Sequence, residues 1–212
     1  MREALVKPFI YAVADERYWH IYGKAFLNSA RAHGHEADVF CLKLASTADE
    51  RTHCATERFR LMPAMVQKYG PSLALDVDTI IRRPFTIDPE CDVGVFIRPN
   101  GPERHAVVVG GEEISVCARA LAGIFYCTER GLGFAEAIAE AMDEPSLRWG
   151  DDQAAIWDAY QRLGSMFRIK LFDKRHMNWE AGSDAPIYAA KGRSKVGGAF
   201  LKEVEHWRRH VN

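Results

Sequence analysis

The sequence predicts an α/β fold: a single domain with a central, mostly parallel sheet and helices on both faces. Three observations predict it. Apolar runs of strand length alternate with amphipathic helical stretches as far as Leu75, and strand-helix-strand-helix-strand order implies a parallel sheet. At 212 residues and 48% hydrophobic composition, the chain can bury one substantial core. No internal repeat or low-complexity linker divides it.

The elements follow in order. Lys7 to Ala14 (KPFIYAVA) reads as a first buried strand. From Tyr18 to Ala32 the apolar side chains Tyr18, Ile21, Tyr22, Ala25, Phe26 and Ser29 recur at three and four, a helical period. His33-Gly34-His35 ends that helix, and Ala37 to Leu42 (ADVFCL) is a second strand. A second helix is expected from Thr56 to Tyr69, with Phe59, Met62, Met65, Val66 and Tyr69 on one face, closed by Gly70-Pro71. The strand Ser72 to Leu75 then delivers Asp76. In the second half, Asp92 to Ile97, Ile124 to Cys127 and Phe167 to Phe172 read as strands. Gly133 to Met142, Asp152 to Leu163 and Leu201 to His210 read as helices.

Composition excludes several classes of function. With 28 basic against 29 acidic side chains, there is no electrostatic footprint for nucleic acid. The basic clusters Arg82-Arg83 and Trp207-Arg208-Arg209-His210 are short and read as solvated faces. The five cysteines are widely spaced and form no C-x-x-C pair, which argues against zinc and against a disulfide framework. Reduced cysteines fit a cytoplasmic protein. The N-terminal MREALVKPFIYAVAD lacks the long apolar stretch of a signal peptide, and no run is long enough to span a bilayer.

The stretch LALDVDTIIRRPF, residues 73–85, sets Asp76 and Asp78 at the end of an apolar run. They could simply start a solvated turn. They also lie just past the carboxyl end of a strand, where ligands bind in open α/β sheets. Two carboxylates one residue apart can converge on a hard cation that shares its shell with phosphates. At Trp149-Gly150-Asp151-Asp152-Gln153, Asp151 fits an N-cap, while Asp152 and Gln153 could equally face a cleft. The segment 191–198 (KGRSKVGG) is glycine-rich and basic, suited to a diphosphate or to a plain surface loop. Arg58 and Arg60, on the helix before the Asp-x-Asp strand, could be surface residues or reach over the strand end toward an anion.

Taken together, these segments resemble the nucleotide-sugar glycosyltransferases of the GT-A fold, in particular the glycogenin-like family 8. FIYAVADERYWHIYGKAFLNSA is similar to their opening strand and helix, and RFRLMPAMVQKYGPSLALDVDTIIRRPF to their basic helix and L-D-x-D-T strand. ALAGIFYC, GDDQAAIW, KRHMNW and AAKGRSK follow in the family's order. The resemblance implies a GT-A-like, Rossmann-like domain over residues 1–212, with a nucleotide-binding half at about 1–85 and an acceptor and donor-sugar half at about 86–212. It implies Ala12, Asp15 and Tyr18 at the nucleoside and Arg60 at the donor. Asp76, Val77 and Asp78 would sit at a diphosphate, the two aspartates holding Mn²⁺ (or Mg²⁺). Asp152 and Gln153 would flank the reacting carbon, and Gly192 and Lys195 would meet the diphosphate. The implied activity is transfer of a sugar from a nucleotide-sugar donor, a UDP-sugar above all, to an acceptor the sequence does not name, with retention of configuration.

Two positions depart from that pattern. The family's metal-binding His falls at Ala189, and the Asn of its strand falls at Leu121. They support a rival reading, a nucleotide-sugar-binding or interaction protein of the same fold without turnover. LALDVDT also fits the D-x-D-x-T pattern of haloacid-dehalogenase phosphatases, with 150–152 as the later acidic pair. There, however, the nucleophile strand opens the domain and the acidic pair follows a buried strand, whereas Glu144 to Trp149 reads as a loop.

Overall fold

The computed structural model describes residues 6–43, 50–109, 111–144, 147–189, 195 and 197–210. Strand β1 (Phe9–Asp15) is buried along its whole length because both of its faces are covered. Ile10, Ala12 and Ala14 enter one core with Phe26 and Ala30, while Phe9 and Tyr11 enter a second with Phe59, Met62 and Val66. This is the period-two alternation of a strand between two helical layers. At its end Asp15 accepts a hydrogen bond from the Tyr18 amide at 2.6 Å, capping α1 (Glu16–Tyr18). A π-helical turn, Trp19–Gly23, leads into α2 (Lys24–Ala32). Strand β2 (Ala37–Leu42) returns parallel to β1, with Ile10 opposite Ala37.

Helix α3 (Glu50–Tyr69) begins before the expected Thr56; its first turns are polar, so no apolar period marks them in the sequence. Strand β3 (Ser72–Leu75) pairs parallel with β1. There follow β4 (Thr79–Ile81), β5 (Val93–Ile97) and the hairpin β6 (Arg104–Val109) and β7 (Glu112–Cys117). Then come β8 (Ala120–Cys127), α4 (Leu132–Ala141), α5 (Asp151–Leu163) and β9 (Ile169–Phe172). The short strands β10 (Met177–Asn178) and β11 (Ile187–Ala189) precede α6 (Gly198–Arg209).

Among the described residues the main sheet runs β2-β1-β3-β8-β5-β9. Its β1/β2, β1/β3 and β5/β9 pairs are parallel, and only β8 runs against its neighbours. Helices α2 and α6 cover one face, contributing Phe26, Phe200 and Val204. Helices α3, α4 and α5 cover the other through Phe59, Phe134 and Ile156. The fold is therefore GT-A-like α/β, with a mostly parallel central sheet, as expected. The sequence reading did not anticipate two pieces. One is the hairpin β6–β7, a sheet of its own; the other is the small sheet β10-β11-β4, which pairs Ala189 with Thr79 directly beside the Asp-x-Asp turn.

Candidate functional site

At the carboxyl ends of β1 and β3 the structure opens a cleft of ≈ 530 Å³, the size of a small-molecule site. One wall is the end of β1 with Asp15 and Tyr18, and the floor is Asp76, Val77 and Asp78. Leu121 to Gly123 of β8, the start of α5 with Asp152 and Gln153, and Lys195 complete it. These segments are far apart in sequence, and the sheet topology is what brings them together.

Two cations organise the charge. Arg58 comes off α3 with a side chain only 5% exposed; its Nη1 pairs with Asp76 Oδ1, and its Nη2 lies 3.6 Å from Asp152 Oδ2. Burial works against the Arg58 charge, but Asp76 and Asp152 outweigh it and hold the guanidinium protonated. The Tyr11 hydroxyl donates to the Arg58 carbonyl at 2.6 Å and pins that turn of α3 to β1. Lys195 Nζ pairs with Asp78 Oδ2. Burial lowers the ammonium, and contact with Asp78 more than restores it. For Asp78 itself, burial pushes the carboxyl up and Lys195 offsets part of this. Burial is also the largest effect on Asp152, pushing it up to about 6 against the opposing pull of Arg58.

Glycine makes two of these positions possible. A Cβ at Gly123 would come within 2.9 Å of Asp76 Oδ2, so a larger residue there would push the carboxylate out of its present position. Gly150 enters α5 in the left-handed region (φ +95°) and lies where a Cβ would meet Val116 at 2.6 Å. It turns the chain so that Asp151 accepts from the Arg148 amide at 2.7 Å while Asp152 faces Arg58.

Asp15, Tyr18, Asp76, Val77, Asp78, Asp152, Gln153 and Lys195 all line the cleft. With the Gln153 amide assigned in the orientation its neighbours require, Nε2 donates to the carbonyls of Ala120 at 2.9 Å and Cys117 at 3.2 Å and ties α5 to the β7–β8 connection. Two expected residues lie elsewhere. Ala12 is fully buried in the core, and Val13 and Ala14 form the cleft wall instead, because β1 extends to Asp15. Arg60 points away from the cleft, donating to the Met142 carbonyl and reaching Asp143 at 3.1 Å, so it straps α3 to the end of α4. Two residues along a helix is about 200° of rotation, so Arg58 and Arg60 face nearly opposite ways. Gly192 lies outside the described residues. Sequence reasoning missed Val107 and Val108 on the hairpin, Cys54 on α3 and Trp149 as parts of the lining. Only Trp149, next to the Gly-Asp-Asp-Gln run, carried a signal.

A Mn²⁺ at the Asp-x-Asp turn would have to share it with two cations. Both aspartates are already in ion pairs, with Arg58 and Lys195. The position across from Thr79, where the family's ligand is expected, is the methyl of Ala189. Among the described residues no group of three or more His, Cys, Asp or Glu side chains is placed to hold a metal ion.

No protein-family model matches the chain, and no curated protein matches it significantly in sequence. Solved structures do. The chain is similar to a glycosyltransferase involved in glycosylation of the major capsid of PBCV-1, at 14% identity and a TM-score of 0.58, covering 94% of this chain and 100% of that one. It is also similar to the glycosyltransferase GlyE of Streptococcus pneumoniae TIGR4, at 13% identity and a TM-score of 0.57, covering 97% of this chain and 61% of GlyE. At these identities the likeness is one of fold.

Proposed function

We propose that the chain is a glycosyltransferase that moves a sugar from a nucleoside diphosphate donor, a UDP-sugar, to an acceptor hydroxyl. One observation carries the reading. Groups suited to a nucleoside (Asp15, Tyr18), a diphosphate (Lys195) and a reacting sugar carbon (Asp152) share one cleft on a GT-A-like fold. The departing diphosphate gains negative charge as the glycosidic bond breaks, and an ammonium already held in place stabilises it without reorganisation. The anomeric carbon becomes oxocarbenium-like, a charge that a nearby carboxylate balances. Asp152, pushed up to about 6, is mostly ionised at neutral pH, and Arg58 and the Gln153 anchor hold it in position. Retention of configuration, and uridine as the base, come from the family resemblance.

Leu121 and Ala189 favour a second reading, donor binding without turnover. A thermal-shift screen of uridine, guanosine and adenosine diphosphates and their sugar conjugates, followed by assay of nucleotide release, separates the two. The transferase reading expects stabilisation by uridine nucleotides and slow UDP release without acceptor, and it expects Asp152→Asn to lower release about 10²–10³-fold. Binding without release from any donor or acceptor supports the second reading. Preference for another base overturns the uridine assignment.

A further inference from the structure

We propose that this cleft takes its donor's diphosphate without a resident divalent cation, Lys195 meeting the phosphates and Asp78 serving as the counter-ion that holds Lys195 there. The inference rests on the sugar-transfer reading and deepens it.

Exposure shows which group of each ion pair faces the cleft. In the Lys195–Asp78 pair the lysine side chain is 34% exposed and the aspartate 6%. In the Arg58–Asp76 pair the order is reversed, with the arginine 5% exposed and the aspartate 39%. An arriving ligand therefore meets an ammonium and one carboxylate, with the other carboxylate and the guanidinium behind them. The exposed Asp76 carboxylate is an acceptor, suited to ribose hydroxyls and unsuited to phosphate oxygens of its own sign. The ammonium is the group that matches the diphosphate.

A dication would have to reach Asp78, and Lys195 stands in its path. It would also have to separate an ion pair and then sit beside the displaced ammonium. Across from Thr79, the residue after Asp78, stands Ala189, which has no ligand atom to offer. A diphosphate faces none of these costs. The Lys195 ammonium carries three donors, so it can keep Asp78 and add a phosphate oxygen. Asp152 does not complete a metal site either, since its carboxylate faces Arg58.

The test titrates UDP into the wild-type protein by calorimetry, once with Mn²⁺ and once with chelator, and follows Mn²⁺ alone by electron paramagnetic resonance. The expected dissociation constants for UDP agree within about threefold, and Mn²⁺ shows no saturable site on the free protein. Lys195→Met should weaken UDP binding about 10- to 100-fold in both buffers, with Lys195→Arg retaining most of it. UDP binding about tenfold or more tighter with Mn²⁺, or one Mn²⁺ bound per free protein, overturns the inference and leaves the transferase reading standing. UDP binding in neither buffer overturns the inference and the uridine assignment, and if no other nucleoside diphosphate binds either, the transferase reading falls with them. If Lys195→Met does not fold, the two wild-type titrations decide alone.

Discussion

Arg58 and Arg60 stand two positions apart on one helix and differ in almost every physical respect. Arg58 is sealed between Asp76 and Asp152; Arg60 is 29% exposed and ties down a helix end. Removing one partner from a buried ion pair leaves an uncompensated charge, which costs about 3–5 kcal/mol. Arg58→Met should therefore lower unfolding free energy by about that amount, and Arg60→Ala by about 1 kcal/mol, both read from urea denaturation. Equal costs would mean that Arg58 does not hold the two carboxylates. Asp152 gives a second test at the same scale. Its carboxyl is raised to about 6 in the folded protein, so between about pH 4 and 6 the folded state holds a proton that the unfolded chain has released. Its contribution to stability is therefore lost as pH rises from the unfolded value near 4 through 6. Asp152→Asn lacks that loss. The melting temperature of the variant minus that of wild type should become more positive between pH 4 and pH 7.5. A flat or opposite trend would show that the carboxyl is not raised.

Among the described residues the hairpin β6–β7 pairs with no other strand, and an isolated two-stranded ribbon is marginal in water. It leans on the start of α5, where Val116 occupies the space that Gly150 leaves. It also sets Val107 and Val108 at the cleft, with Val108 71% exposed. On the sugar-transfer reading, this apolar pair would limit the water that enters beside a bound donor. Changing both valines to serine should move the melting temperature by less than about 2 °C, since little burial is lost. Acceptor-free hydrolysis of the donor should rise, because water then enters more freely. Unchanged hydrolysis together with lost transfer would place these residues at the acceptor instead.

The chain's end closes the site that its beginning opens. Arg82, just past β4, forks onto Glu203 of α6 and stacks over the Tyr188 ring at 3.8 Å. The Asn28 amide of α2 donates to the Trp207 carbonyl at 2.8 Å. Phe200 is buried among Tyr22 and Tyr188. Helix α6 is thus fixed against α2 and the small sheet, and the chain just ahead of it delivers Lys195 to Asp78. The cleft's residues come from both halves of the chain, so a cleft assembled this way exists only when both halves are folded together. No described helix is long and apolar enough to cross a membrane. The five cysteines are all free thiols, three of them buried.

The first three strands, the amphipathic helices between them and the position of Asp76 and Asp78 past a strand end were all legible in the sequence. Each depends on a local signal: apolar period, a turn residue, or a charge at the edge of an apolar run. Gly-Asp-Asp-Gln at the start of α5 was legible for the same reason. Tertiary structure alone decided which arginine enters the cleft, because the helix face that packs on the sheet fixes the direction of every side chain on it. It also decided that Ala14 rather than Ala12 reaches the site, since strand length sets where β1 emerges from the core. The hairpin wall had no signal beyond a short run of valines. The pairing of Lys195 with Asp78 spans most of the fold, and long-range partners follow from the packing of α6 rather than from any spacing along the chain.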